Sequence, residues 1–198
     1  MKKYVAFFML VVCITLSCSP QPTKQTTRAN LPIELFVDKF AKDNPNYKLN
    51  DITREEINTL FEKTILDTLK TVNMLENVPL RLEGINKVEN KIIAHFQSWI
   101  TPNQWKFKGN LNELHVDVFA EVNDSLVNFL ENDKYYYIYG YLLERLNGLS
   151  SAESLFGRSV MPYTNSISFE KDDIWDDKIE VNLGILHFQL DSVRAFIQ

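Results

Sequence analysis

The N-terminal part of the chain has the apolar spacing of two helices. Over residues 31–42 the apolar side chains fall mostly on one side of a helix, and the turn-forming residues 43–46 end it. Over residues 53–72 apolar side chains recur every three or four positions, which predicts a longer helix with one buried face. Thr53 and Glu56 form a capping-box pattern at its start. The expected buried stripe consists of Ile57, Leu60, Phe61, Ile65, Leu69 and Val72.

From Val78 onward the period changes to two, which is typical of half-buried strands. Gly84 interrupts the first strand, which suggests a β-bulge or a close backbone approach. The change of parity beside Gly184 predicts a β-bulge in the last strand. Asn123 is expected to cap a short helix, and residues 147–178 read as a long polar loop. The predicted strands cover residues 78–83, 91–100, 114–120, 135–143 and 179–190, with a hairpin turn at 89–90.

Two segments carry a resemblance to a known fold. A short helix from Asp124 precedes a tyrosine-rich strand that contains Gly140, and the strand Leu80–Gly84 reaches a glycine where it is expected to bend. Both resemble segments of exported OB-fold domains. The resemblance implies an α+β protein in which residues 77–198 form a small, mostly antiparallel β-barrel or strongly curved sheet. A helical extension, residues 31–76, precedes it. The alternative is a twisted antiparallel sheet with both helices on one face.

The first thirty residues have the pattern of an export signal. Lys2 and Lys3 precede an apolar run that is too short to span a membrane, and Ser17 stands directly before Cys18. This resembles the lipobox in the type II signal peptides of bacterial lipoproteins, which implies a signal peptide over residues 1–17 and a diacylglycerol on the Cys18 thiol. Residues 18–30 then form a flexible tether. An ordinary secretory signal is the alternative, and Cys13 is a rival anchor that follows the bulky Val12.

Composition narrows the classes of partner and chemistry. The formal net charge of −5 becomes −7 once Lys2 and Lys3 leave with the signal peptide. An acidic protein is a poor ligand for nucleic-acid phosphates. The two cysteines, Cys13 and Cys18, lie in the signal and anchor segments, so the expected mature domain has no disulfide and no cysteine nucleophile. The sequence indicates no cofactor.

Two clusters could in principle hold a cation. Glu113, His115 and Asp117 share one face of a predicted strand, where an imidazole and two carboxylates could ligate a metal. The alternative is that they form the wet face of that strand, and no metal site is assigned. His95 and His187 are interpreted as isolated core or surface histidines. A second cluster could hold calcium or act as a glycosidase acid/base pair, but a solvated surface is the favoured interpretation. This cluster comprises Glu170, Asp172, Asp173, Asp176 and Asp177.

Aromatic side chains suggest where a ligand could bind. Every second residue of 135–141 is a tyrosine, which resembles a stacking platform; packing of this row under the N-terminal helices is the favoured interpretation. The loop over residues 147–178 would lie between the fourth and fifth barrel strands, beside the ligand groove of OB-folds. Its candidate ligand-binding residues are Arg158, Tyr163, Phe169 and Trp175. Phe169 and Trp175 could instead plug one end of the barrel.

The sequence favours a non-catalytic binding or interaction module over an enzyme. No nucleophile elbow, phosphate loop or metalloprotease motif is present in the sequence. The expected location is the bacterial cell envelope, with the domain outside the cytoplasm. The expected partners are a lipid bilayer, through the acyl anchor, and an envelope protein or glycan. An envelope hydrolase acting on carbohydrate through loop carboxylates is the alternative.

Overall fold

The protein is an α+β fold, as the sequence predicts. A computed structural model describes residues 28–98, 105–157, 166–171 and 178–197. The helices are α1 (Pro32–Asp43), α2 (Asp51–Leu69), α3 (Asp124–Val127) and α4 (Leu149–Phe156), with a 3-10 turn at Pro45–Lys48. The strands are β1 (Leu80–Val88), β2 (Lys91–Gln97), β3 (Leu111–Val122), β4 (Tyr135–Arg145), β5 (Ile167–Lys171) and β6 (Ile179–Ala195).

The six described strands form one sheet whose hydrogen bonding closes on itself. The order is β3-β2-β1-β4-β6-β5, and β3 also pairs with β6. Strands β1, β2, β3, β6 and β4 therefore make a closed set, called here the strand ring, and β5 pairs with the first part of β6 outside it. Among these pairings only β3–β6 is parallel. The expectation of a mostly antiparallel sheet is thus confirmed.

Local irregularities bend the strands where the sequence predicts them. The β1–β2 register shifts between Leu82 and Gly84, and β6 skips Leu183 where it pairs with β3. The second bulge changes which residues of β6 face the main core. These are odd-numbered up to Leu183 and even-numbered from Leu186 to Leu190. Gly184, at the bulge, has a φ of 66°. At Gly140 the strands approach so closely that a Cβ would lie 2.1 Å from the Gln189 carbonyl oxygen. Both predicted bulges are therefore confirmed.

Helices α1 and α2 share one apolar core with the strand ring. Phe40 and Phe61 belong to the same buried cluster as Leu80, Phe96 and Phe188 from three strands of the ring. Burial of these side chains removes apolar surface from water, at roughly 25 cal/mol per Å². The predicted helical extension is therefore packed into the same core as the predicted β-domain.

The ends of helix α2 differ from the sequence prediction. Helix α2 starts two residues earlier than Thr53, because Asn50 is the cap: its Oδ1 accepts the Thr53 N–H at 2.9 Å. The predicted capping box from Thr53 and Glu56 is wrong. Leu60 was expected in the buried stripe but is 46% exposed, and Val72 lies beyond the helix end. Asn123 caps α3 as predicted, accepting the Leu126 N–H at 2.9 Å.

The segment 147–178 is not a structureless loop. It contains α4, whose buried residues Ala152 and Phe156 are four positions apart and lie on one face. It also contains β5, which pairs antiparallel with β6. The polar composition hides both elements, because their apolar residues are few and are recognised only by what they pack against. Within the described residues, no helix is long and apolar enough to cross a bilayer.

Candidate functional site

A cleft of about 680 Å³ lies on the outer side of the strand ring. The turn of the β1–β2 hairpin, the start of β2, the end of β4 and helix α4 surround it, and it is called here the α4 cleft. Its described lining residues are Val88, Glu89, Lys91, Ile93, Glu144, Arg145, Leu146, Asn147, Ser150, Ser151, Ser154 and Leu155. The volume is within the range of small-molecule sites.

The polar wall of the α4 cleft is a row of serines. Ser150, Ser151 and Ser154 come from consecutive turns of α4, and Asn147 precedes the helix. The opposite face of α4 packs against the sheet through Ala152 and Phe156. Helical spacing therefore separates an apolar side, which fixes the helix, from a hydroxyl side, which is left to the cleft.

The cations that line the cleft are neutralised by carboxylates. The Lys91 Nζ pairs with Glu121 on β3, and the Arg145 guanidinium pairs with Glu62 on α2. These pairs join strands and helices around the rim. Because each cation already has an acid partner, the described lining offers hydrogen bonds rather than a concentrated positive charge.

A second, smaller core fixes α4 on the outer face of the ring. Ile93, Phe119 and Ile185 meet Ala152 and Phe156 there. The His95 imidazole stacks on the Phe119 ring with centroids 4.3 Å apart and planes 6° apart, and the Phe156 ring meets it edge-on at 5.8 Å. The Asn86 side chain also donates a hydrogen bond to the Phe156 carbonyl at the end of α4. Ile93 and Leu146 of this small core also line the cleft, so the packing that holds α4 supports one side of it.

The outer face of β3 is not the wet face that its polar residues suggest. Asp117 is fully buried, and its Oδ1 lies 2.8 Å from His95 Nε2 and 2.6 Å from Gln97 Nε2. The alternation of polar and apolar residues is real, but α4 covers part of the polar side. A buried carboxylate needs such hydrogen-bonding partners. Asp117 is therefore shielded from solvent, and its hydrogen bonds connect β3 to β2.

The candidate triplet Glu113, His115 and Asp117 is divided by the structure. His115 Nε2 lies 3.2 Å from Glu113 Oε2, whereas Asp117 is engaged by His95 and Gln97. Glu180 of β6 takes the third place beside Glu113 and His115. The sequence could not show this, because Glu180 is 65 positions later than His115 and reaches it through the parallel β3–β6 pairing.

Of the four predicted ligand-binding residues, the structure describes only Phe169. Phe169 is 1% exposed, and its ring packs against Phe40, Tyr47 and Phe61 with centroids 5.0 to 5.1 Å apart. Phe169 is therefore a core residue, and its assignment to a ligand groove is corrected. The structure does not describe the other predicted site residues, which are Cys18, Arg158, Tyr163 and Trp175. Of the acidic cluster it describes Glu170, which is exposed on β5, but not Asp172, Asp173, Asp176 or Asp177.

The tyrosine row lies on the outer side of β4 and not against the N-terminal helices. Tyr136, between the row residues, points into the core at 3% exposed. Tyr137 packs edge-on against Phe196 at 5.6 Å, and the Arg194 guanidinium lies 4.7 Å from its ring centroid. The Tyr139 hydroxyl is 3.1 Å from Asn77 Oδ1. The favoured interpretation of this row is wrong, because its described contacts are with Trp105, with Arg194 and Phe196, and with the loop before β1.

Comparison with known proteins leaves the site geometry as the basis for function. No family model, no curated protein and no solved structure matches this chain. A fold by itself would not assign a function in any case, since one scaffold can carry many unrelated sites. The conclusion that follows therefore depends on the α4 cleft and its chemistry.

Proposed function

We propose that this protein is a lipid-anchored envelope protein whose OB-like domain binds a hydroxyl-rich ligand, of the glycan class, in the α4 cleft. The observation that carries the proposal is the serine-lined cleft between the β1–β2 turn and α4. Its apolar lining residues Ile93 and Leu146 belong to the small core that also holds α4, and Leu155 packs against that core. The proposal is for binding without catalysis.

The order of the strands supports an OB-like scaffold. Five strands close in the order β1-β2-β3-β6-β4, and a short helix, α3, stands between β3 and β4. OB-folds are five-stranded Greek-key barrels that bind oligonucleotides and oligosaccharides on the face of strands two and three. Loops between strands one and two and between strands four and five flank that face. Here β6 takes the place of the fifth strand, so α4 and β5 form an insertion before it.

The position of the cleft agrees with that scaffold. Val88 and Glu89 line it from the turn between the first two strands, and Ser150 and Ser154 line it from the segment after β4. These are the two loops that flank the ligand in OB-folds. The cleft borders the segment that the sequence analysis expected beside a ligand groove, but its described lining consists of the serines of α4 and not of the aromatic residues named there.

The lining chemistry favours a glycan over a phosphate-bearing ligand. Hydroxyl and amide groups from Ser150, Ser151, Ser154 and Asn147 can both donate and accept hydrogen bonds, which suits sugar hydroxyls. Lys91 and Arg145 are already paired with carboxylates. A polyphosphate or nucleic acid would require positively charged side chains that are not already paired with carboxylates. The net charge of the chain, −5, also opposes such a ligand.

We expect a bulky side chain in the α4 cleft to abolish glycan binding and leave the fold intact. Ser154→Trp fills the cleft from an exposed position of α4. Affinity for soluble fragments of bacterial cell-wall glycan, measured by isothermal titration calorimetry, should fall at least about tenfold, which is about 1.4 kcal/mol. Ser192→Trp is the matched control, because Ser192 is exposed on β6 and does not line the cleft. Equal binding by both variants, or an absence of glycan binding by the wild type, would contradict the proposal.

The anchor can be tested separately from the cleft. Cys18→Ser removes the thiol that a diacylglycerol would modify, so cells grown with a clickable palmitate should give no labelled product. The altered protein should be released from the membrane or stay unprocessed. Cys13→Ala is the control and should keep the label. Two acyl chains make an attachment durable, at about 0.8 kcal/mol for each buried CH₂. Label that persists in Cys18→Ser, or disappears in Cys13→Ala, would disprove the anchor.

A further inference from the structure

Two parallel strands bring two carboxylates and an imidazole together on the outer face of the sheet. The β3–β6 register places Glu113 opposite Glu180 and His115 opposite Asn182. A register irregularity between Leu111 and Glu113 precedes this pair. One ligand atom from each of Glu113, His115 and Glu180 lies within 4.8 Å of the others.

The charges of this cluster also favour a cation. Like charges placed directly opposite each other on neighbouring strands repel, as Glu113 and Glu180 do here. His115 is 7% exposed, and its Nε2 lies 3.2 Å from Glu113 Oε2. An imidazole nitrogen is a common ligand for divalent transition metals. A divalent ion would convert the carboxylate repulsion into attraction.

The backbone around His115 is held in place. The Ser98 hydroxyl donates a hydrogen bond to the Leu114 carbonyl at 2.6 Å and accepts one from the Val116 N–H at 2.9 Å. On the far side, Asp117 is fixed by His95 and Gln97. Ligands on rigid strands with fixed neighbours lose little conformational freedom when they bind an ion.

We propose that Glu113, His115 and Glu180 form a binding site for one divalent transition-metal ion of the zinc type. One imidazole nitrogen and two carboxylate oxygens are ligands that Zn²⁺ accepts at about 2.0–2.2 Å. Three protein ligands leave a coordination position for water. Calcium does not fit this set, because it takes six to eight oxygen ligands. The site is separate from the α4 cleft, and none of its three residues lines that cleft.

The test is a titration of the full-length protein, purified in detergent and stripped with a chelator, with zinc chloride. Calorimetry should give one zinc ion per chain. Zinc should also raise the melting temperature, because a ligand that binds only the folded state stabilises it. Glu180→Gln and His115→Gln should each weaken zinc binding by about 100-fold or more. Calcium chloride should give no binding under the same conditions.

His187→Gln provides the matched control. His187 also touches two carboxylates, but Glu121 faces its Nε2 and Glu144 its Nδ1, each at 3.3 Å, so the pair lies on opposite sides of the ring. This variant should bind zinc as the wild type does. If His115→Gln does not fold, Glu113→Gln tests the same site from a side chain that is 53% exposed. The proposal is overturned if the wild type binds no zinc, if the site variants bind as tightly as His187→Gln, or if calcium binds equally.

Discussion

Phe61→Ala is expected to lower the free energy of unfolding by about 3–5 kcal/mol, as truncation of a buried phenylalanine does. Phe61 on α2 is fully buried, and its ring lies 5.1 Å from both Phe40 and Phe169 and 5.9 Å from Phe36. Removing it leaves a cavity where α1, α2 and β5 meet. For a domain of this size, the melting temperature should fall by roughly 10 °C. Urea unfolding followed by circular dichroism measures the difference.

The adjacent residue on the same helix is a matched control for this change. Leu60 is 46% exposed, so Leu60→Ala removes an apolar side chain from the surface and leaves no comparable cavity. Its expected cost is within about 0.5 kcal/mol. Equal effects of the two substitutions would show that α2 does not pack into the common core. That result would contradict the structure described above.

Glu34→Gln is expected to destabilise the protein by about 3 kcal/mol at neutral pH, because it disturbs a buried, charge-assisted network. The Glu34 carboxylate accepts hydrogen bonds from the Arg28 guanidinium and, at 2.7 Å each, from the Leu31 and Lys108 N–H groups. A glutamine offers one acceptor oxygen and turns an NH₂ group toward donors. This network ties the start of α1 to the segment before β3, where Arg28 also lies 4.4 Å from the Trp105 ring centroid.

The same substitution should change the acid stability. Burial raises the pKa of Glu34, but the hydrogen bonds from Arg28, Leu31 and Lys108 together outweigh it, and the pKa lies below its ordinary value. A carboxyl whose pKa is lowered by folding stabilises the protein above its unfolded pKa of about 4.3, and that contribution is lost as the pH falls through the folded pKa. The stability gap between the wild type and Glu34→Gln should therefore be full at pH 7 and narrow below about pH 4.

The control for the acid experiment is Glu56→Gln, because Glu56 is exposed on α2. Its unfolding free energy should match the wild type within about 0.5 kcal/mol at pH 7. Urea unfolding at a series of pH values between 7 and 3 gives both comparisons. A gap for Glu34→Gln that stays constant with pH would show that the loss comes from altered packing and not from the ionised carboxylate.

The two proposed sites differ in how far the sequence could predict them. For the α4 cleft the sequence indicated a candidate segment, because the resemblance to OB-folds implies that the segment between the fourth and fifth strands flanks a ligand groove. The lining residues were missed, since Ser150, Ser151 and Ser154 look like ordinary loop residues until Ala152 and Phe156 are seen to be buried. The helical spacing of these serines was the feature of the sequence that could have identified them.

The sequence by itself was enough to predict the structural features that depend on residues close together in the chain. The change of hydrophobic period at Val78, the bulges beside Gly84 and Gly184, and the Asn123 cap are short-range features of backbone and side-chain chemistry, and all are found in the structure. The α+β class follows from these periods. The same local reasoning failed at Leu60, which is 46% exposed. Several positions beside the buried stripe of a helix fit the same spacing, and the surface against which the helix packs decides which of them is buried.

Tertiary structure alone decided what depends on residues far apart in the chain. Glu180 joins His115 through the parallel pairing of β3 and β6. Asp117 is buried on a face that α4 partly covers, and His95 and Gln97 of β2 supply its hydrogen-bond partners. Phe169 looked like a loop residue open to a ligand, yet contacts with Phe40 and Phe61 place it in the core. Burial and ligation are properties of long-range pairing, and a periodic pattern carries no information about which distant strand supplies the partner.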